Sequence, residues 1–192
     1  MSASGRLIVL SGPSGVGKTT VGRSLLKSRR RLIRSISATT RPRRKGEREG
    51  RDYRFLTPQA FAALLARNGF LEHADVYGRF YGTPKAPVLK ALKSGRDVLL
   101  VIDVQGAAQV KRSFPEAVLV FLSPPSWKEL VRRLKGRGTE DATALKRRLA
   151  TARREMAQAR RYDAVVVNDR VPSAVRRILA LLDPGQGAGP PV

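Results

Sequence analysis

Residues 12–19 read Gly-Pro-Ser-Gly-Val-Gly-Lys-Thr, and this stretch decides the fold. It fits the spacing G-x-x-x-x-G-K-[ST] without a gap. The apolar run RLIVL (residues 6–10) precedes it, and an amphipathic segment from about Lys18 to Ser28 follows. Buried strand, glycine-rich turn and helix, in that order, make a phosphate-binding loop. The chemistry dictates the residue types. Gly12, Gly15 and Gly17 let the backbone aim its N–H groups at a phosphate where Cβ atoms would obstruct, and Pro13, Ser14 and Val16 fill the loop between them. Lys18 brings a mobile cation to the β and γ oxygens of a nucleoside triphosphate. Thr19 offers a hydroxyl to Mg²⁺, and the helix N-terminus adds its dipole. The loop says that ATP phosphates are bound; it does not say what receives one.

Outward from the loop, residues 97–103 (DVLLVID), 117–122 (AVLVFL) and 164–168 (AVVVN) are further short apolar runs of the kind that form buried parallel strands. Helical patterns separate them over Gln105–Arg112, Ser126–Lys135, about Ala142–Arg161, and Pro172–Leu182 with its proline in the first turn. Ser126 and Glu129 have capping-box spacing. Strands alternating with helices predict an α/β fold, a P-loop NTPase core with a parallel sheet flanked by helices. Between about Ser35 and Gly95 the character changes to Arg, Tyr and Gly. Short strands are expected there around Asp52–Phe55, Phe70–Val76 and Arg79–Tyr81, with helices opened by Thr57–Pro58 and by Pro84. This is the pattern of an inserted lobe. The tail DPGQGAGPPV is expected to be disordered.

The 192 residues suit one compact domain or a core with inserted lobes, and 42% hydrophobic content supports an ordinary core. There is no cysteine, so disulfides and cysteine-based metal sites are excluded. The first apolar run is too short for a secretory signal, and no stretch approaches the ~20 apolar residues needed to cross a bilayer. A cytoplasmic protein without a membrane partner is expected. The net charge is +23, from 38 Lys and Arg against 15 Asp and Glu. Such a surface attracts polyanions. Because the cations are spread along the chain and two phosphate-bearing substrates would themselves need many, nucleic-acid binding is expected to be adventitious.

The inserted lobe narrows the acceptor. Residues 35–53 read SISATTRPRRKGEREGRDY. Arg41 and Arg44 with Tyr53 have the groups to grip one phosphate dianion, although a charge run is ordinarily a solvated loop, and the pattern leaves both readings open. In FLEHADVYGRFYGT (70–83), Glu72 has the chemistry to accept from adjacent N–H and NH₂ groups such as guanine's, while Ser37 and Thr83 have hydroxyls for a carbonyl such as guanine O6. The bland alternatives are a surface Glu72 and a Thr83 that caps the next helix. His73, the only histidine, reads as a packing or surface residue.

The segments GPSGVGKT, SISATTRPRR-GE-GRDY, FLEHA, FYGTP, IDVQGA, GRGTE and VVVND resemble, in order and spacing, bacterial guanylate kinases over about residues 5–182. The resemblance implies transfer of the γ-phosphate of Mg-ATP to GMP, with ATP and GMP as the small-molecule partners. It implies a core of 1–34, 97–125 and 162–183, a GMP-binding lobe of 35–96 and a lid of 126–161, with 184–192 as tail. By motif match it places GMP-phosphate ligands at Arg41, Arg44, Tyr53 and Tyr81, and guanine contacts at Ser37, Glu72 and Thr83. It puts Asp103, with Thr19, near the metal through water, and lid arginines at Arg133, Arg137 and Arg148 beside the catalytic Lys18 and Arg41. Asn168 falls near the adenine side. One position departs from the pattern. Two residues before Asp103 the family carries Asp or Glu, and Val101 stands here, which implies altered GMP affinity, base selectivity or metal contacts. The competing readings are a sibling kinase acting on a sugar phosphate, a noncatalytic guanylate-kinase-like binding module, and a basic ATPase stimulated by polynucleotide. Oligomeric state has no signature in the sequence.

Overall fold

The computed structural model describes residues 4–76, 78–135 and 142–183. Arg137 and the tail 184–192 lie outside the described residues. By its contacts the chain divides into two compact units, one of Met1–Ile8, Arg31–Leu100 and Gln105–Ala117, the other of Val9–Arg30, Val101–Val104 and Val118–Val192.

The four apolar runs read from sequence become β1 (Leu7–Ser11), β7 (Asp97–Val101), β8 (Val118–Ser123) and β9 (Ala164–Val167) of one five-stranded sheet. A further strand, β2 (Leu32–Arg34), lies at its edge, and the order is β2-β7-β1-β8-β9. The β2–β7 and β8–β9 ladders are parallel. β1 is buried along its whole length, as expected of a strand covered on both faces. β2 has three residues and no readable period, so sequence patterning passes over it.

In the second unit, α1 (Lys18–Ser28) and α7 (Val171–Leu182) pack on each other, and α5 (Trp127–Lys135) packs on α6 (Ala142–Met156). Leu130 and Leu134 of α5 close on Ala152 of α6, flanked by Trp127, Leu145 and Leu149. The basic helix expected to run to Arg161 stops at Met156, and a separate 3₁₀ turn covers Ala159–Arg161. Ser126 Oγ caps α5 by accepting from Glu129 N at 3.2 Å. The carboxylate of Glu129 goes to Arg132 and Arg133, so one half of the capping box forms.

The first unit holds α3 (Lys85–Lys93), α4 (Val104–Ser113, from Gln105 on) and a second sheet ordered β4-β3-β6-β5. Its strands are β3 (Ala38–Thr39), β4 (Arg54–Phe55), β5 (Phe70–Val76) and β6 (Arg79–Pro84). Partners across an antiparallel ladder share a face, and successive residues alternate. Gly82, paired with Ala38 and His73, therefore faces one way, and Tyr81 and Thr83, paired with Thr39 and Glu72 respectively, face the other. Helix α2 (Pro58–Ala66), capped by Thr57 Oγ1 on Ala60 N at 3.1 Å, covers the Ala38 face. There Phe61 stacks on Phe70 at 4.4 Å and on Phe80 at 5.5 Å between ring centroids.

Phe61 is 1% exposed and is the keystone of this small core. Phe61→Ala is expected to cost about 3–5 kcal/mol through lost burial and the cavity left behind. Urea unfolding followed by fluorescence of the lobe's tyrosines measures it, and a loss below about 1 kcal/mol would contradict the packing described.

Candidate active site

The loop leaves β1 through Gly12 at φ 139°, where a Cβ would lie 2.3 Å from the carbonyl oxygen of Leu122. Gly17, at φ 99°, caps α1 in the left-handed region. α1 has no side-chain cap and no acid in its first turn, so its leading N–H groups and dipole are presented to an anion. Lys18 Nζ turns back on the loop, donating to Gly12 O at 2.6 Å and Pro13 O at 3.1 Å. Thr19 follows, exposed.

The far side of the loop is held by its own unit. Asn168, 4% exposed, donates through Nδ2 to Val16 O at 2.8 Å. Arg133 donates to the same carbonyl at 3.3 Å and to Asn168 O at 3.2 Å, while Glu129 accepts from its Nε at 2.8 Å. Arg148 donates to Ser14 Oγ at 3.0 Å. The structure thus brings Arg133, Arg148 and Asn168 to the loop, and Asn168 is spent on its backbone. Asp103 stands exposed just beyond β7. Burial pushes the Glu155 carboxyl up, and the charge of Asp103 adds a smaller push in the same direction.

Among the described residues no group of three or more His, Asp or Glu side chains is placed to hold a metal ion. Mg²⁺ arrives with phosphate oxygens and keeps several waters, so it needs only one or two hard oxygen donors from protein. The hydroxyl of Thr19 and the carboxylate of Asp103 are donors of that kind.

In the first unit, the face away from α2 collects the groups expected to meet an acceptor. Glu72, Tyr81 and Thr83 share it, and Tyr53 meets Tyr81 edge-on at 6.1 Å. Ser37 stands, half-buried, one residue before β3. Arg41 lies over the ring of Tyr53 at 4.9 Å. The Glu72 carboxylate is buried and accepts from Thr83 Oγ1 at 2.6 Å. Pro84, not Thr83, occupies the N-cap of α3, so neither bland alternative describes this pair.

One participant had no assigned role in the sequence reading. Glu47 takes the Arg41 guanidinium in a two-pronged pair, Nη1 at 2.7 Å and Nη2 at 2.5 Å, and also accepts from Arg44 N at 2.9 Å. Its position in the KGEREG turn was visible; that its carboxylate folds back on Arg41 was not. Arg44 itself is exposed.

The sequence profile of the guanylate kinase family matches residues 4–184. The chain belongs to the guanylate kinase family. It is 53% identical over 177 residues to the guanylate kinase of Gloeobacter violaceus, covering 92% of this chain and 86% of that one. Against a guanylate kinase of Thermus thermophilus it is 53% identical over 178 residues, covering 93% and 80%. The crystal structure of guanylate kinase from Anaplasma phagocytophilum superposes with a TM-score of 0.77 at 36% identity, covering 97% of this chain and 89% of that one. The family relationship thus agrees with the fold class expected from the strand–loop–helix motif. No helix among the described residues is long and apolar enough to cross a membrane.

Hydrogen bonds from Arg41 and from the backbone of Arg44 hold the Glu47 carboxyl at about 2, against an ordinary 4.5. Arg132 and Arg133 do the same for Glu129, again to about 2. A depressed carboxyl contributes stability that is present above its unfolded value and lost as pH falls through its folded one. The Arg41–Glu47 loop is therefore expected to hold at pH 4.5 and to come apart as the pH approaches 2. A carbon-13 titration of Glu47 checks this: a midpoint near 4.5 would refute the pairing. Glu47→Gln should flatten the loss of stability across that interval.

Proposed function

We propose that this family member transfers the γ-phosphoryl group of ATP to GMP, giving ADP and GDP, with residues 35–96 as the GMP-binding lobe and 126–161 as a lid. The observation that carries the acceptor assignment is the buried Glu72–Thr83 pair. With its proton donated to Glu72, the Thr83 hydroxyl presents lone pairs, so it serves the base as an acceptor, and Ser37 is left as the donor for a carbonyl. A carboxylate and a hydroxyl acceptor side by side suit the adjacent N–H and NH₂ groups of guanine. Adenine would leave the buried carboxylate facing a lone pair.

On this reading Arg41, Arg44, Tyr53 and Tyr81 bind the GMP phosphate, with Glu47 orienting the Arg41 fork so that little side-chain entropy is lost when the dianion arrives. The loop from Gly12 to Thr19 wraps the ATP phosphates, and Lys18 swings from its loop carbonyls to the β and γ oxygens. Arg133 and Arg148, together with Arg137 beyond the described residues, neutralise charge on the transferring group. Thr19, and Asp103 through water, would hold Mg²⁺, which would supply charge neutralisation to the ATP phosphates. Transfer requires the two substrates in line and free of bulk water, the role assigned to the lid. No covalent enzyme intermediate is involved. ATP and GMP are the partners, and the cytoplasm is the compartment where both are supplied.

Incubation with ATP and, in turn, GMP, AMP, CMP and ribose 5-phosphate should yield ADP with GMP alone. Turnover with another acceptor and none with GMP would overturn the assignment. Glu72→Gln, which sets an amide N–H₂ against the guanine donors, is expected to lower kcat/KM for GMP about a hundredfold with the KM for ATP unchanged. Val101, half-buried at the end of β7, lacks the carboxylate that the family pattern has there. Val101→Asp should change the KM for GMP or the Mg²⁺ dependence, and a variant identical to the wild type in both would leave this position without such a role.

A further inference from the structure

Helix α6 reaches the phosphate loop with two side chains. Arg148 and Glu155 lie two turns apart and so share a face of the helix. Both end on Ser14. Arg148 donates to its hydroxyl at 3.0 Å, and the Glu155 carboxylate accepts from its backbone N–H at 3.2 Å. Because Pro13 has no N–H, Ser14 carries the first backbone donor after Gly12. The turn that follows is closed by Val16 N on Pro13 O at 3.3 Å. The peptide that Glu155 holds is therefore the one from which the phosphate-binding stretch unwinds.

The surroundings of Glu155 favour this use of the carboxylate. Burial disfavours its charged form most strongly, the charge of Asp103 adds to that, and the Ser14 N–H and the Lys18 ammonium oppose it. Tyr162, T-shaped against Phe121 at 5.0 Å between centroids, stands on the same side, and its buried hydroxyl feels both Asp103 and Glu155. A half-buried carboxyl in such a place is costly unless a donor meets it, and the loop supplies that donor.

We propose that Glu155 is a positioning residue for the ATP site: by accepting the Ser14 N–H it fixes the first peptide of the phosphate loop, and with Arg148 it ties that loop to α6. It touches no reacting atom. Its effect reaches ATP through the loop, so its loss should weaken binding of the phosphate chain and leave GMP alone. The inference rests on the loop being the ATP site, and it needs no particular acceptor.

The test uses the full chain and ADP with Mg²⁺, followed by titration calorimetry, with steady-state KM values for ATP and GMP alongside. Glu155→Ala should weaken ADP about tenfold, equivalent to ~1.4 kcal/mol at 25 °C, with GMP affinity within about twofold of the wild type. Glu155→Gln keeps an oxygen that can accept the same N–H and should stay within about threefold of the wild type for ADP. Glu155→Met keeps the side chain's length without an acceptor, and it should behave as Ala does even if Ala loosens the helix. Wild-type ADP affinity in both Ala and Met variants would overturn the proposal. So would a parallel loss of GMP affinity, or a Gln variant as weak as Ala. A wild-type chain that binds ADP but does not turn over GMP would overturn the proposed acceptor and leave the role of Glu155 standing or falling on the calorimetry.

Discussion

The chain can turn out of β1 at residue 12 only without a side chain. At φ 139° a Cβ would sit 2.3 Å from the Leu122 carbonyl, closer than any relaxation of backbone allows. Because the loop runs this close to β8, its outward peptides are available to neighbours, and those neighbours all fix it. Val16 O receives Asn168 and Arg133, and Ser14 receives Arg148 and Glu155. Gly17 obeys a second steric limit, since a Cβ there would lie 2.6 Å from Asn168 Nδ2. The loop is thus held from outside, and the start of α1 that follows it has neither a side-chain cap nor an acid in its first turn.

Electrostatics take their form from the shortage of acids. With 38 basic side chains and 15 acidic ones, most cations have no carboxylate to themselves, and each carboxylate that pairs selects among them. Glu47 selects Arg41, Glu129 selects Arg132 and Arg133, and Asp97 selects Arg6, accepting from its backbone N–H as well. Ion pairs that water still reaches contribute little to stability. Their value here is directional: an arginine held by a planar carboxylate presents its remaining N–H groups along a fixed axis, which a free arginine does not. A strongly basic chain therefore needs only a few acids to decide which of its cations are fixed in direction.

The sequence carried the core strands and the loop because both are local patterns, an apolar run and a spacing of glycines before Lys18. It carried the caps of α2 and α5 for the same reason. It did not carry β2 or β3, which have three and two residues and no period to read. Nor did it carry the partners of the site. Glu47 returns to Arg41 across a turn, and Glu155 meets Ser14 from a distant helix, so neither pairing has a spacing signal. The Glu72 and Thr83 pairing was legible as chemistry and not as geometry. Residue types suggested a base site, while the direction of their hydrogen bond, which makes Thr83 an acceptor toward any ligand, needed the fold.

That pairing depends on one irregularity. In an unbroken strand Phe70 and Glu72 would face the same way, two residues apart. The ladder instead slips between them, pairing Phe70 with Pro84 and Glu72 with Thr83, so that an extra residue stands on β5 at Leu71. The bulge turns Phe70 toward Gly82 and the Phe61 stack, and a Cβ on Gly82 would lie 2.7 Å from the Phe70 ring. Glu72 is left on the opposite face with Thr83 and Tyr81. Without the bulge, one of two things must be given up: a buried aromatic in the core of the lobe, or a carboxylate on the opposite face. The same seven-residue strand therefore serves core and site together, and the burial of Phe70 under α2 locks the register that aims Glu72.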